Sequence, residues 1–214
     1  MDEPATDGRT LRSRRSRLAV IEAILSCYED GIVRPSVAEV AARSGVSERS
    51  VFRHFDDLED LATSAITHQV SQLLDYFADP DRAGTFDERI AALVDQRIRL
   101  FGRLRNLARA AAHHAPGSET IAGAVRDRRA LLRAQVERQL APEFDGLGRR
   151  DRRLLVAQVD QALSIEALDY LRSPSGGDLG PRDLRVVLVA TVTALLGAAP
   201  IELATVPTTH QESR

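Results

Sequence analysis

The stretch SVAEVAARSGVSERSVFRHF, residues 36 to 55, carries the start and stop signals of two short helices. Ser36 followed three residues later by Glu39 is a capping box, which opens a helix by satisfying two of its free backbone N–H groups. Gly45 can adopt the left-handed conformation that ends such a helix. Ser47 starts a second helix, which runs to about Phe55. The sequence therefore predicts two helices joined by a tight turn.

Three small or apolar residues of this stretch are spaced as a helix-turn-helix requires. Ala41 lets the two helices approach, Gly45 takes the positive φ of the turn, and Val51 fills the angle between the helices. The second helix then turns its polar side chains outward: Ser47, Glu48, Arg49, Ser50, Phe52, Arg53 and His54. Hydroxyls, guanidinium groups and an aromatic ring on one short helix suit a phosphate-lined DNA groove.

An ordinary helical corner with a solvated charged face also fits the spacing of Ala41, Gly45 and Val51, because so short a pattern arises by chance. The charge distribution favours DNA. The whole chain has a net charge of -2, but residues 9 to 55 carry nine arginines against five acids. Four of these arginines, Arg12, Arg14, Arg15 and Arg17, lie at the start of the first helix. Positive charge is unfavourable there, which indicates a partner such as phosphate.

Helical spacing of apolar residues continues through the rest of the 214 residues, which predicts an all-α chain of about nine helices. Gly31 ends the first helix, and Asp56 or Asp57 caps a fourth that includes Leu73 and Leu74 and ends before Asp79-Pro80. Five further helices are predicted near residues 86 to 103, 105 to 114, 118 to 140, 149 to 172 and 182 to 204. The predicted domains are a helix-turn-helix domain, 11 to 57, and a helical bundle, 58 to 205, with flexible tails at 1 to 10 and 206 to 214.

The sequence offers no catalytic or metal-binding pattern, so we expect neither an enzyme nor a cofactor. None of the five histidines has a glutamate three residues before it, and the adjacent His113 and His114 project about 100° apart on a helix. The single cysteine, Cys27, fits a reducing cytosol. The apolar run from Val186 to Ile201 is too short to cross a bilayer, which predicts a cytoplasmic protein without a membrane partner.

The last two predicted helices are more apolar than a surface helix needs. Their apolar residues include Leu154, Leu155, Val159, Leu163, Ile165, Leu168 and Leu171 on one helix and Val187 to Leu196 on the other. Two such helices from each of two subunits would form a four-helix interface of a homodimer; an internal core is the alternative.

Polar side chains within the helical bundle are candidates for contacts with a small-molecule effector. They are Arg109, His113 and His114 in the middle of the chain and Asp160, Gln161, Glu166 and Asp169 further on. Arginine with carboxylates at such spacings also describes a solvated face.

The segment from the first to the fourth helix resembles the DNA-binding domain of the TetR family of transcriptional repressors. The resemblance covers roughly 45 residues and is carried by Ser36, Val40-Ala41, Gly45-Val46-Ser47, Ser50, Val51 to Phe55 and Asp56-Asp57. It implies a dimeric regulator that binds a palindromic operator in double-stranded DNA and is released by a small-molecule effector. A protein-interaction module built on the same helix-turn-helix is the alternative function.

The resemblance also implies a role for each residue of the motif. Ser36, Ser47, Phe52 and His54 would contact phosphates, and Glu48, Arg49, Ser50 and Arg53 would approach base edges. Two positions depart from the family pattern. Phe52 stands where tyrosine is usual, and Leu58 stands where a lysine is usual, so a phenol and a cation for the DNA backbone are missing.

Overall fold

The computed structural model describes residues 8–72, 78 and 84–197, and its regular elements are helices throughout that part of the chain. Within these described ranges the nine α-helices are α1 (Gly8–Glu29), α2 (Val37–Ser44), α3 (Glu48–His54), α4 (Leu58–Gln72), α5 (Phe86–His114), α6 (Glu119–Gln139), α7 (Arg149–Ala162), α8 (Ile165–Leu171) and α9 (Pro181–Gly197). Two 3₁₀ turns, Ala141–Phe144 and Pro174–Gly176, join the later helices. The predicted all-α class is confirmed.

The helix count agrees with the prediction because two errors cancel. The predicted helices 86 to 103 and 105 to 114 are one helix, α5, whose buried residues Phe101, Leu104 and Leu107 continue without a break. Gly102 lies inside this helix, where a glycine costs only about 1 kcal/mol relative to alanine.

The predicted helix 149 to 172 is instead two helices, α7 and α8. Ser164 caps α8 by accepting a hydrogen bond from the backbone N–H of Ala167 at 3.1 Å. Leu163 and Ile165 on either side of the break are buried, so both helix ends are packed into the core.

The ends of several predicted segments lie outside the described residues. These are Leu73, Leu74 and Asp79-Pro80 at the end of the fourth predicted helix, residues 198 to 204 of the last one, and the predicted tails 1 to 7 and 206 to 214. Residues 8 to 10, predicted to be part of a flexible tail, belong to α1.

Helix α5 is the central element, packed against α1, α4, α6, α8 and α9. One continuous core runs from the helix-turn-helix to the bundle, since Val51 of α3, Ile66 of α4 and Leu100 of α5 belong to the same buried cluster. No helix in the described ranges has the length and hydropathy needed to cross a membrane.

Candidate nucleic-acid interface

The turn between α2 and α3 is held by local hydrogen bonds at both helix starts. Ser36 and Glu39 form the predicted capping box, and Ser47 accepts a hydrogen bond from the backbone N–H of Ser50 at 3.2 Å. Gly45 between the helices has φ 69°, in the left-handed region that glycine adopts without strain. The local signals therefore set both the length of α2 and the point at which α3 begins.

Buried apolar side chains fix the orientation of α3 on the domain. Val51 and Phe55 are each 2% exposed and pack with Val40 and Ala41 of α2. With Val51 facing inward, the opposite side of α3 faces solvent. This geometry confirms the predicted helix-turn-helix fold.

The outward side of α3 presents two guanidinium groups around an aromatic ring. Arg49, Phe52 and Arg53 are all exposed, and Phe52 keeps 52% of its surface in solvent. Residues three and four apart share one face of a helix, so the three side chains form one surface, which we call the recognition face. Glu48 is exposed at its N-terminal end, whereas Ser50 is half-buried.

The hydroxyl groups predicted to contact phosphate already have partners within the protein. Ser36 Oγ donates to Glu39 Oε2 at 2.7 Å, and Ser47 Oγ lies 3.0 Å from Ser50 Oγ. The hydrogen bonds from the Ser36 backbone and hydroxyl lower the pKa of Glu39, so this carboxylate stays ionised and accepts both hydrogen bonds. A hydrogen bond from Ser36 Oγ to phosphate would require the hydroxyl to leave Glu39.

His54 is half-buried at the C-terminal end of α3. Its Nε2 atom is out of contact with solvent and finds no hydrogen-bond partner among the described residues. Burial lowers the pKa of His54, and the positive charges of Arg53 and Arg17 lower it further. The imidazole is therefore neutral at neutral pH in the free protein.

The arginines at the start of α1 divide into two groups. Arg12, Arg14 and Arg15 are exposed, as a phosphate contact requires. The guanidinium of Arg17 lies 4.7 Å from the centre of the Phe55 ring and donates to Ser64 Oγ at 3.1 Å. Arg17 thus connects α1 with the end of α3 and with α4, a structural role that the sequence did not indicate.

The two departures from the family pattern occupy different environments. Phe52 is exposed on the recognition face, whereas Leu58 is half-buried against the core. The cap of α4 is Asp57, whose Oδ1 accepts a hydrogen bond from the backbone N–H of Asp60 at 2.8 Å. Asp60 in turn accepts one from the N–H of Asp56. These acids therefore cap α4.

Solved structures of other proteins have the same fold as this chain. A transcriptional regulator from Rhodococcus sp. Rha1 has a TM-score of 0.63 and 25% identity, covering 86% of this chain and 95% of its own. A protein described as a TetR-family transcriptional regulator from Mesorhizobium loti has a TM-score of 0.59 and 19% identity, covering 86% and 96%. The chain has the fold of TetR-family transcriptional regulators.

A third structure with this TetR fold is FadR from Bacillus subtilis in complex with stearoyl-CoA. It has a TM-score of 0.51 and 16% identity, covering 87% of this chain and 98% of its own. No protein-family model matches the sequence, and no curated protein does either. The neighbouring structures are regulators and not enzymes.

Polar contacts at the end of α5 of this TetR fold reach α1 and α4. His114 Nδ1 lies 2.9 Å from Glu59 Oε2 of α4, and His114 Nε2 lies 3.5 Å from the hydroxyl of Tyr28 on α1. Thr63 Oγ1 of α4 lies 3.1 Å from Ser118 Oγ, the cap of α6. The predicted effector contact His114 therefore connects α5 with α1 and α4, and His113 beside it is exposed.

The other predicted effector contacts are used mainly in ion pairs between helices. Asp169 of α8 accepts hydrogen bonds from Arg105 at 2.7 Å and from Arg109 at 2.8 Å, both on α5. Burial raises the pKa of Asp169, but the hydrogen bonds from Arg109 and Arg105 outweigh it and hold the pKa below its ordinary value. Arg109 and Asp169 thus hold α5 against α8.

Asp160, Gln161 and Glu166 line one depression of about 320 Å³ beside α6, whereas His113 and His114 line another of about 350 Å³. The predicted effector residues are therefore brought together in part, in two separate places. Burial raises the pKa of Asp160, an effect that nearby arginines only partly offset. Among the described residues, no three His, Cys, Asp or Glu side chains are grouped as a metal ion would need.

An apolar groove of about 460 Å³ lies between α4, α5 and α6. Ile66 and Val70 of α4, Ala108 and Ala111 of α5, and Val125 and Leu131 of α6 line it. Sequence spacing does not reveal this groove, because its residues come from three helices that the tertiary fold brings together. A larger depression of about 540 Å³ beside α1, α5 and α9 is more polar and includes Arg105, which is paired with Asp169.

Proposed function

We propose that this chain is a DNA-binding transcriptional regulator that inserts α3 into the major groove. The observation that carries the proposal is the recognition face, Arg49, Phe52 and Arg53, exposed on a helix whose other side is fixed by buried Val51. A protein has no internal use for two guanidinium groups around an exposed aromatic ring, whereas a DNA groove offers partners for both. The likeness to the Rhodococcus regulator supports the same conclusion.

Within this proposal the residues of α3 have distinct tasks. Arg49 and Arg53 approach guanine edges or phosphates, with Glu48 and Ser50 beside them at base edges. Phe52 packs on the sugar-phosphate backbone, and Ser36, Ser47 and His54 are the phosphate contacts at the rim. Ser36 and Ser47 act in the free protein as helix caps. Their hydroxyl groups must therefore rearrange before they can contact the phosphates of the DNA backbone.

The regulator acts as a homodimer in this proposal, with α9 at the two-fold axis. Leu184, Leu188 and Val192 occupy the buried side of α9, while Val186 and Ala190, one turn apart, are exposed on another side. Four of the seven apolar residues predicted for the interface on α7 and α8 are buried inside the protomer: Val159, Leu163, Ile165 and Leu168. The dimer contact therefore depends chiefly on α9, and its symmetry calls for a palindromic operator.

A small-molecule effector that binds the bundle is expected to release the repressor from its operator. The FadR structure with stearoyl-CoA shows that one protein of this fold holds an acyl ligand. In the present chain the apolar groove includes Ile66 and Val70 of α4, the helix that follows α3. If the protein has two conformations that differ in the placement of α4, a ligand that binds one of them more tightly would change the fraction of the protein in the DNA-binding conformation.

The test is equilibrium binding of the purified chain to a fluorescent duplex of the DNA upstream of its own gene, followed by anisotropy at several salt concentrations. We expect binding that weakens steeply with salt, because phosphate contacts release counterions. The double variant Arg53→Ala, His54→Ala should lose binding. Arg150→Ala, which removes an exposed arginine of α7, should retain it. Binding that is insensitive to salt or equal in all three proteins would refute the proposal.

The alternative function, a protein-interaction module, is favoured by one observation, the exposed ring of Phe52. The same variants separate the two functions. Under the alternative, the wild-type chain shows no preference for upstream DNA over a scrambled duplex of equal length.

A further inference from the structure

Arg128 of α6 lies at the point where the apolar groove meets the depression around Glu166, and it lines both. Its side chain is only 13% exposed. Nε is out of contact with solvent and has no hydrogen-bond partner in the described part of the chain. A buried N–H group without an acceptor has lost its hydrogen bond to water and gained none in the protein, which is unfavourable, and more so when the group is charged.

The charge of Arg128 is also incompletely balanced. Glu166 Oε1 lies 3.3 Å from Arg128 Nη2 but 2.7 Å from Nη2 of Arg129, so two guanidinium groups share one carboxylate and the better contact goes to Arg129. Burial lowers the pKa of Arg128; Glu166 opposes this effect, and Arg129 adds to it. The site therefore holds a desolvated positive charge that Glu166 balances only in part.

The groove beside Arg128 offers the opposite chemistry, an apolar surface formed by Ile66, Ala108, Ala111 and Leu131. Leu131 is 43% exposed, so the groove leaves apolar surface in water in the free protomer. Asp127 also lines the groove, but it is exposed at the rim, where water screens its charge.

We propose that the effector is a small amphiphilic anion, whose apolar chain fills this groove and whose acidic head group accepts hydrogen bonds from Arg128. Because Nε is out of contact with solvent in the free protein, the Arg128 guanidinium turns toward the groove when the ligand binds. The head group then supplies the acceptor that Nε lacks and balances the second guanidinium. The chain of the ligand covers the exposed apolar surface, including that of Ile66 on α4. This inference rests on the proposed function for its regulatory consequence, whereas ligand binding itself can be measured without DNA.

The experiment is isothermal titration calorimetry of the full chain with three probes of equal chain length: decanoate, decanol and decylamine. We expect decanoate to bind at least about tenfold more tightly than decanol, as a charge-assisted hydrogen bond to a buried guanidinium requires. Decylamine should bind most weakly. Equal affinity for decanoate and decanol would overturn the proposal.

Variants of two neighbouring arginines locate the head group. Arg128→Met should remove the preference for decanoate while leaving decanol binding within about twofold, because methionine keeps the apolar stem. Arg129→Met is the matched control, since Arg129 contacts the same Glu166 but is 60% exposed. If Arg128→Met does not fold, Arg128→Lys provides the test by retaining part of the preference. Unchanged selectivity in the folded variant would refute the assignment.

Further measurements distinguish a small-molecule ligand from a second copy of this chain as the occupant of the groove. They also distinguish failure of this inference from failure of the proposed function. Ala124→Phe, which adds bulk to a half-buried position lining the groove, should abolish binding of both decanoate and decanol. If no probe binds and Leu131→Glu instead changes the sedimentation coefficient, a second copy of this chain covers the groove and the inference is wrong. Loss of decanoate binding with intact operator binding contradicts this inference alone, whereas decanoate binding without operator binding contradicts the proposed function alone.

Discussion

His114 Nδ1 of α5 lies 2.9 Å from Glu59 Oε2 of α4, the helix that follows α3. A tautomer with the proton on Nδ1 donates to Glu59 and leaves Nε2 to accept from the Tyr28 hydroxyl. Burial, with the nearby charge of Glu59, raises the pKa of Tyr28, so its hydroxyl keeps its proton. The three side chains therefore connect α1, α4 and α5.

Replacing His114 by alanine should weaken this connection. We expect the free energy of unfolding to fall by about 1 kcal/mol, a value reduced for screening because the Glu59 side chain is 39% exposed. Urea denaturation measures the change. His113→Ala is the control, since His113 is exposed and the contact with Glu59 is made by the ring of His114. An equal loss of stability in both variants would show that the contact with Glu59 contributes nothing specific.

Phe52→Tyr should tighten DNA binding. Phe52 is 52% exposed, so an added hydroxyl finds water in the free protein and has no effect on folding. On DNA the phenol can donate to a phosphate, and such a bond to a charged acceptor contributes about 1 kcal/mol or more, roughly a fivefold gain in affinity. Anisotropy with the upstream duplex measures it. An unchanged dissociation constant would mean that position 52 does not face a phosphate.

Leu58→Lys provides a contrast, since it restores the other residue of the family pattern. Leu58 is half-buried and packs on the core, so the lysine must give up apolar contacts to reach DNA. We therefore expect Leu58→Lys to lower the thermal midpoint, in contrast to Phe52→Tyr.

The helix-turn-helix could be predicted from the sequence because its signals are local. Ser36 and Glu39 are three residues apart, and Gly45 and Ser47 flank the turn itself, so each hydrogen bond joins near neighbours. The side of α3 that faces inward could be predicted from Val51 with Val46 and Phe55, since a seven-residue helix has only one inner side.

The bundle was less predictable because its geometry depends on contacts between distant residues. The sequence shows Arg109 and Asp169 as polar candidates but not their contact across sixty positions. Ser164 is a possible helix cap, but the helical spacing of apolar residues continues on both sides of it, so the break between α7 and α8 was not predicted. The unpaired Nε of Arg128 arises only from tertiary packing.

His54 should give opposite pH effects on folding and on DNA binding. Its pKa in the folded protein is lowered, so as the pH falls His54 becomes protonated in the unfolded chain at a higher pH than in the folded protein. The stabilising contribution of neutral His54 is therefore complete above the ordinary histidine pKa, about 6.5, and is lost as the pH falls below it. A phosphate beside His54 favours the charged form instead, so operator affinity should rise over the same range.

His54→Gln separates these effects from those of other titrating groups. The difference in unfolding free energy between wild type and variant should shrink as the pH falls below about 6.5. The rise in operator affinity with acid should be weaker in the variant. Parallel curves for the two proteins in both measurements would contradict the role assigned to this side chain.

Val186→Glu should convert the proposed dimer into a monomer. Val186 is 66% exposed in the protomer, so the carboxylate has no folding penalty there, but at a two-fold axis it would meet its symmetry copy in an apolar contact. Sedimentation equilibrium measures the state. Leu18→Glu is the matched control, because Leu18 of α1 is another exposed apolar residue, at 41%. If Val186→Glu and Ala190→Glu both sediment as wild type does, α9 is not the interface. If both variants are monomeric, each should bind a single half-site far more weakly than the dimer binds the palindrome.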